Sequence, residues 1–167
     1  MSYTLDEFAA DCHNALKKDS SMAGVEEVRK CVEKALKDPD LVAEYLPEDC
    51  DQERRVIYED PELKFCICAH VYQGPKEGSP HDHGPTWAIY GQAAGETEMT
   101  DWEIVQPAEG DNPALVKLSR SYALKPGDAH AYPPGAVHAP LRNGPTRLIR
   151  VEGENTDNLK RTPIKAA

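Results

Sequence analysis

His81 and His83 stand one residue apart in the stretch SPHDHGPTWAIYGQAAGE, residues 79–96. In an extended backbone alternate side chains share a face, so this spacing presents two imidazoles side by side to one ion. On a helix the pair would splay apart, and Pro80, Gly84 and Pro85 set the segment against helix formation. The alternative is a pair of solvated loop histidines flanking Asp82, and further donors are needed to decide. The stretch LKPGDAHAYPPGAVHAPLRN, residues 124–143, supplies two more histidines, His130 and His138, on either side of a Pro133-Pro134-Gly135 turn.

Side chains this far apart in the chain meet only if strands hold them. The first fifty residues read as helical instead. Thr4-Leu5-Asp6-Glu7 has the capping-box order, and Leu5, Phe8, Ala9, Cys12 and Leu16 recur at helical spacing. A second helix is expected from about Val25 to Lys37 and a short third one over 40–45, stopped by Pro47. From Arg55 the texture changes to short alternating runs bounded by Gly, Pro, Asn and Asp. Phe65, Ile67, Ala69 and Val71 alternate with Cys66, Cys68, His70 and Tyr72, and further strands are expected at 86–92, 96–106, 114–124, 128–132, 136–141 and 146–152. Strands at this spacing predict a mainly β sandwich or barrel, with no repeat and no linker to split off a second domain.

The charge balance narrows the partners. A formal net charge of −10 disfavours a nucleic-acid surface, which draws its affinity from clustered Lys and Arg, so a small molecule is the expected partner. No apolar run reaches the roughly 20 residues of a membrane helix, and MSYTLDEFAADC lacks the basic-then-apolar order of a signal peptide, which places the protein in a cytoplasm. The five cysteines, Cys12, Cys31, Cys50, Cys66 and Cys68, lack CxxC spacing and read as reduced thiols, with Cys66 and Cys68 as packing residues.

Gly127, Pro133, Gly135 and His138 fall at the spacing of the second cupin motif, with Arg142 where that motif ends on asparagine and Asn143 one place later. His81, His83 and Gly95 match the first motif, its leading glycine offset by one at Gly74. Residues 54–152 therefore resemble a cupin. The resemblance implies a double-stranded β-helix (jelly-roll) barrel over 54–152, with a helical segment, 1–50, packed on it and a tail at 153–167. It also implies that His81, His83 and His138 meet at one metal near the barrel mouth. Three neutral imidazoles leave coordination positions open to substrate or dioxygen. The carboxylate that many cupins add is missing, because Trp87 and Ala88 occupy its positions.

A carboxylate-free three-histidine cupin with the phrase HDHGPTWAIYGQ resembles the thiol dioxygenases, the cysteine and 3-mercaptopropionate dioxygenases, which use ferrous iron. In that group an arginine before a strand binds the substrate carboxylate, and Arg54 in ERRVIYED holds the matching position, with a solvated arginine at the start of the strand as the alternative. Two features depart from the group. Ala88 stands where the animal enzymes carry a cross-linked cysteine, and Leu148-Ile149-Arg150-Val151-Glu152-Gly153 replaces a Ser-x-His-x-Tyr array. His130 is the candidate acid-base replacement, with a strand histidine as the alternative; Arg142, Arg150, Trp87 and Tyr90 are candidate cavity residues if their strands face inward.

The reading that follows is an iron-dependent dioxygenase acting on a small anionic thiol with dioxygen. Oxygenolytic cleavage of a diketone or enol, and a metal-binding cupin without turnover, stand as alternatives. Imidazoles also accept zinc, nickel and copper, and the helical segment is open to a homodimer contact. His13 and His70 have no spacing that ties them to the site.

Overall fold

The computed structural model describes residues 2–167. Three helices come first: α1 (Leu5–Lys18), α2 (Met22–Leu36) and α3 (Pro39–Tyr45). Each begins on a side chain that satisfies an otherwise orphaned amide. Thr4 Oγ1 accepts from the Glu7 N–H at 3.1 Å, Ser21 Oγ from Ala23 at 3.3 Å, and Asp38 from Asp40 and Leu41 at 2.9 and 3.1 Å. α2 starts at Met22 rather than the expected Val25 because the Ser21 cap, not the apolar stripe, sets its first turn.

Two five-stranded sheets follow. In spatial order the first holds β1 (Arg55–Glu59), β2 (Cys66–Tyr72), β9 (Thr146–Glu152), β4 (Ala88–Ala94) and β7 (Ala129–Tyr132). The second holds β10 (Ile164–Ala166), β6 (Ala114–Leu124), β5 (Thr97–Gln106), β8 (Val137–Arg142) and β3 (Lys76–Glu77). Every pairing is antiparallel except β10 with β6.

The period of two along a strand sorts the first sheet into two unlike faces. Ile67, Ala69, Val71, Ile89, Ile149 and Val151 point outward and form one buried cluster with Phe8, Cys12, Val25, Val28 and Val32 of the helices. A side chain at Gly91 would stand 2.5 Å from Val32 Cγ1, so this glycine is what lets α2 lie against β4. The opposite face, turned into the barrel, carries Cys66, Cys68, His70, Tyr90, Arg150 and Glu152.

Residues 153–167 are more than a tail. Thr156–Asn158 make a 3-10 turn, β10 adds a parallel edge to β6, and the Thr162 N–H donates to Asp82 Oδ1 at 3.2 Å. That last bond ties the end of the chain to the His-Asp-His segment. No helix among the described residues is long and apolar enough to cross a membrane.

Candidate metal centre and its cavity

His138 lies on β8, wholly buried, and its N–H and C=O exchange hydrogen bonds of 3.0 Å with those of His81. That bridge continues the β3–β8 ladder and fixes His81 against its partner. His83 follows in a loop turned by Gly84 at φ +61°, where a side chain would meet the Lys160 carbonyl at 2.8 Å. The Asp82 carboxylate accepts from the Gly84 N–H at 3.1 Å and closes the loop.

One nitrogen from each of His81, His83 and His138 lies within 4.8 Å of the other two. Burial pulls all three pKa values down, His81 to about 4, His83 to about 2 and His138 well below the usual range. Neighbouring arginines add to the effect. The rings are therefore neutral near pH 7 and offer lone pairs. His81 Nδ1 lies 2.8 Å from the Ser79 carbonyl, which takes its N–H and leaves Nε2 as the donor to an ion. His138 Nδ1 is buried without a hydrogen-bond partner among the described residues. This donor set fits a divalent transition metal such as iron, zinc, nickel or copper.

The phenol of Tyr90, on β4, meets the same cluster. Its Oη is 3.0 Å from His83 Nε2 and 3.2 Å from His138 Nε2. Burial raises its pKa, against the pull of Arg150 and Arg142. Arg150 Cζ lies 4.7 Å from the centre of its ring.

A cavity of about 460 Å³, the size of a small-molecule site, opens on this cluster at His81 and Tyr90. Arg142 and Arg150 both line it. Arg142 follows His138 on β8 by an even count of residues, so it shares the histidine's inward face. It is 4% exposed, stacks on Tyr72 at 4.5 Å, and its Nε has no hydrogen-bond partner among the described residues. A guanidinium buried without a counter-charge costs several kcal/mol. Burial accordingly draws its pKa below the ordinary arginine range. Arg150 Nε sits 2.7 Å from Glu152 Oε2, but its N–H is not aimed along that line, and Nε and Nη2 make no hydrogen bond.

Arg54 is placed differently from what its proposed role requires. It lines the cavity, but its two Nη atoms reach Glu152 at 3.1 and 2.9 Å, and Asn155 and Asp157 take further bonds. Its fork is occupied by the protein itself. Glu152, wholly buried, also accepts from the N–H and hydroxyl of Thr156. Burial alone would raise the Glu152 pKa, yet Arg150 and Arg54 hold it at about 2. Cys66 and Cys68, with Sγ atoms 3.7 Å apart, lie beside this carboxylate. They and Glu152 form a second possible donor group, but the carboxylate is saturated by arginine and threonine.

His130 does not reach the histidine cluster. It faces the barrel opposite Tyr90 in register, but Tyr132 stands between, its ring 4.6 Å from His130 and 4.2 Å from His138. Trp87 turns the other way and packs on the helix-facing core. Two residues that spacing did not flag do line the cavity: His70, whose Nδ1 is 3.1 Å from the Tyr72 hydroxyl, and Tyr72 itself. Their signal was the strand alternation, which puts both on the face of Cys66 and Cys68.

Solved structures place this architecture. A protein with a double-stranded β-helix domain from Klebsiella pneumoniae superposes with a TM-score of 0.50 at 20% identity, over 74% of this chain and 88% of its own. KdgF from a Halomonas species aligns at TM-score 0.47 and 19% identity, over 64% and 83%. A cupin-2 domain protein from Shewanella frigidimarina gives 0.45 and 16%, over 61% and 82%. No protein-family model and no curated protein matches the chain. The fold is a mainly β cupin, a double-stranded β-helix with N-terminal helices. Within it lies a three-histidine cluster able to hold a metal ion.

Proposed function

We propose that the protein is a ferrous-iron-dependent dioxygenase that converts a small thiol carboxylic acid into its sulfinate. The observation that carries this reading is one cavity that opens on His81 of the three-histidine cluster and is also lined by Arg142, a buried arginine with no ion-pair partner among the described residues.

When bound, the iron supplies dioxygen activation and a positive centre for an anionic donor atom. His81, His83 and His138 hold it and bring no negative charge, so the site favours a ligand that carries its own, such as a thiolate. The Arg142 fork takes the substrate carboxylate through paired N–H donors and relieves its own lack of a counter-charge. Arg150 adds positive potential from above Tyr90. The burial of these groups keeps water from the reacting atoms. In the overall change both atoms of dioxygen are added to sulfur, the thiol becoming a sulfinic acid with no other reductant.

A second reading is oxygenolytic cleavage of a diketone or enol. It is favoured by β9, whose inward face offers Arg150 and Glu152 and none of the histidine and tyrosine groups of the thiol dioxygenases. Oxygen uptake by protein loaded anaerobically with ferrous iron separates the two. Uptake with cysteine or 3-mercaptopropionate, matched mole for mole by sulfinate, is expected. Uptake only with a β-diketone transfers the assignment to the second reading, and silence with iron bound removes both.

A further inference from the structure

We propose that Tyr90 is a fourth protein donor to the ion, an oxygen ligand beside the three imidazoles. The inference rests on the metal reading above and adds a residue that no cupin spacing marks.

Its basis is convergence. The Nε2 atoms of His83 and His138 both point at Tyr90 Oη, at 3.0 and 3.2 Å. A phenol has one hydrogen and satisfies one of these two nitrogens by donation. The other contact is two lone pairs facing each other unless that ring turns its own N–H toward the phenol, and that tautomer has no lone pair at Nε2 for an ion. A cation between them resolves the conflict. Donors sharing one ion at the usual nitrogen and oxygen bond lengths sit about 3.0–3.4 Å apart, and the contacts of Tyr90 with His83 and His138, at 3.0 and 3.2 Å, fall in that range.

The phenol is also held where it stands. Tyr90 is 2% exposed, with Tyr132 edge-on at 5.3 Å and the His138 ring at 5.1 Å. Arg150 Cζ lies 4.7 Å from the ring centre and packs against its face. The consequence concerns substrate. A tyrosine oxygen takes one binding position, leaving fewer for the substrate, so the carboxylate of a thiol acid is directed to Arg142 and not to the metal.

The test uses the full chain loaded with ferrous iron, desalted, oxidised to the ferric form with one equivalent of ferricyanide, and desalted again. Iron per chain and the visible spectrum are measured together. Expected are near-stoichiometric iron and a phenolate-to-ferric charge-transfer band whose resonance-Raman modes shift on ring deuteration of tyrosine. Tyr90→Phe should keep the iron and lose the band, and Tyr132→Phe should keep both. Iron retained by the unaltered chain without the band overturns the tyrosine ligand and leaves the histidine site standing. A band that survives in Tyr90→Phe overturns it equally. Failure of the unaltered chain to retain iron overturns the metal reading and this inference together. The spectrum of the unaltered chain decides the matter even if Tyr90→Phe fails to fold.

Discussion

The two faces of the first sheet divide the work of the molecule. The outer face, with Ile67, Ile89, Ile149 and Val151 under α1 and α2, is an apolar core of ordinary kind. The inner face of the same strands buries Arg150, Glu152, His70 and Tyr90. A simple sandwich would place its apolar residues between the sheets. Here the helices supply a separate hydrophobic layer, and the barrel interior is free to hold charge and imidazole. The inner face is itself divided. Around Glu152 both arginines, Arg54 and Arg150, lie within 3 Å of the carboxylate, while Arg142 has no ion-pair partner among the described residues. Matched charge positions the wall, and in the proposed function the unpaired arginine takes the substrate carboxylate.

Substitutions on the two faces should separate stability from chemistry. The largest loss of stability is expected from Phe8→Ala, which empties a wholly buried aromatic position in the helix layer and should cost about 3–5 kcal/mol in urea unfolding. Protein that remains folded should bind metal as before. A loss of metal binding at unchanged fold would mean that the two layers are not separable.

Glu152→Gln should cost about 3 kcal/mol, because Arg54 and Arg150 lose their counter-charge. It should also flatten the acid limb of the stability profile. The carboxyl is held at about 2 in the folded chain, against about 4.3 for an unperturbed glutamate. Its stabilisation is thus complete above the unfolded value and lost as pH falls through that window. Unfolding followed from pH 5 downward should be steeper in the unaltered chain than in the variant.

Arg142→Met should show the opposite sign. Removing an unmatched buried cation is expected to leave the melting temperature equal or higher, while kcat/KM for a carboxylated thiol falls about 100-fold. Destabilisation as large as that of Glu152→Gln would make Arg142 a structural residue. The smallest effect is expected from His130→Gln, with turnover within about twofold of the unaltered chain, since Tyr132 separates this histidine from the cluster.

What could be read in advance follows from the range of each signal. Strand positions and the Thr4 cap are local, and the structure places them within a few residues of expectation. His81, His83 and His138 were legible because their spacing combines with glycines and prolines that set turns. The inward turn of Arg142 was legible in principle from its even offset to His138. The Arg54–Glu152 pair was not, because it joins residues 98 positions apart and each side chain alone reads as a surface charge. β10 was missed because it is a three-residue edge whose pairing with β6 is its only signal. His130 shows the limit of alternation: register gives its face but not the ring that stands in front of it.

The most direct measurement is iron retained per chain after anaerobic loading and desalting, compared between the unaltered protein and His138→Ala, with circular dichroism to show that the fold persists. The account expects about one equivalent in the first and almost none in the second. Equal retention by both, or none by the unaltered chain, would contradict the claim that His81, His83 and His138 hold one metal ion.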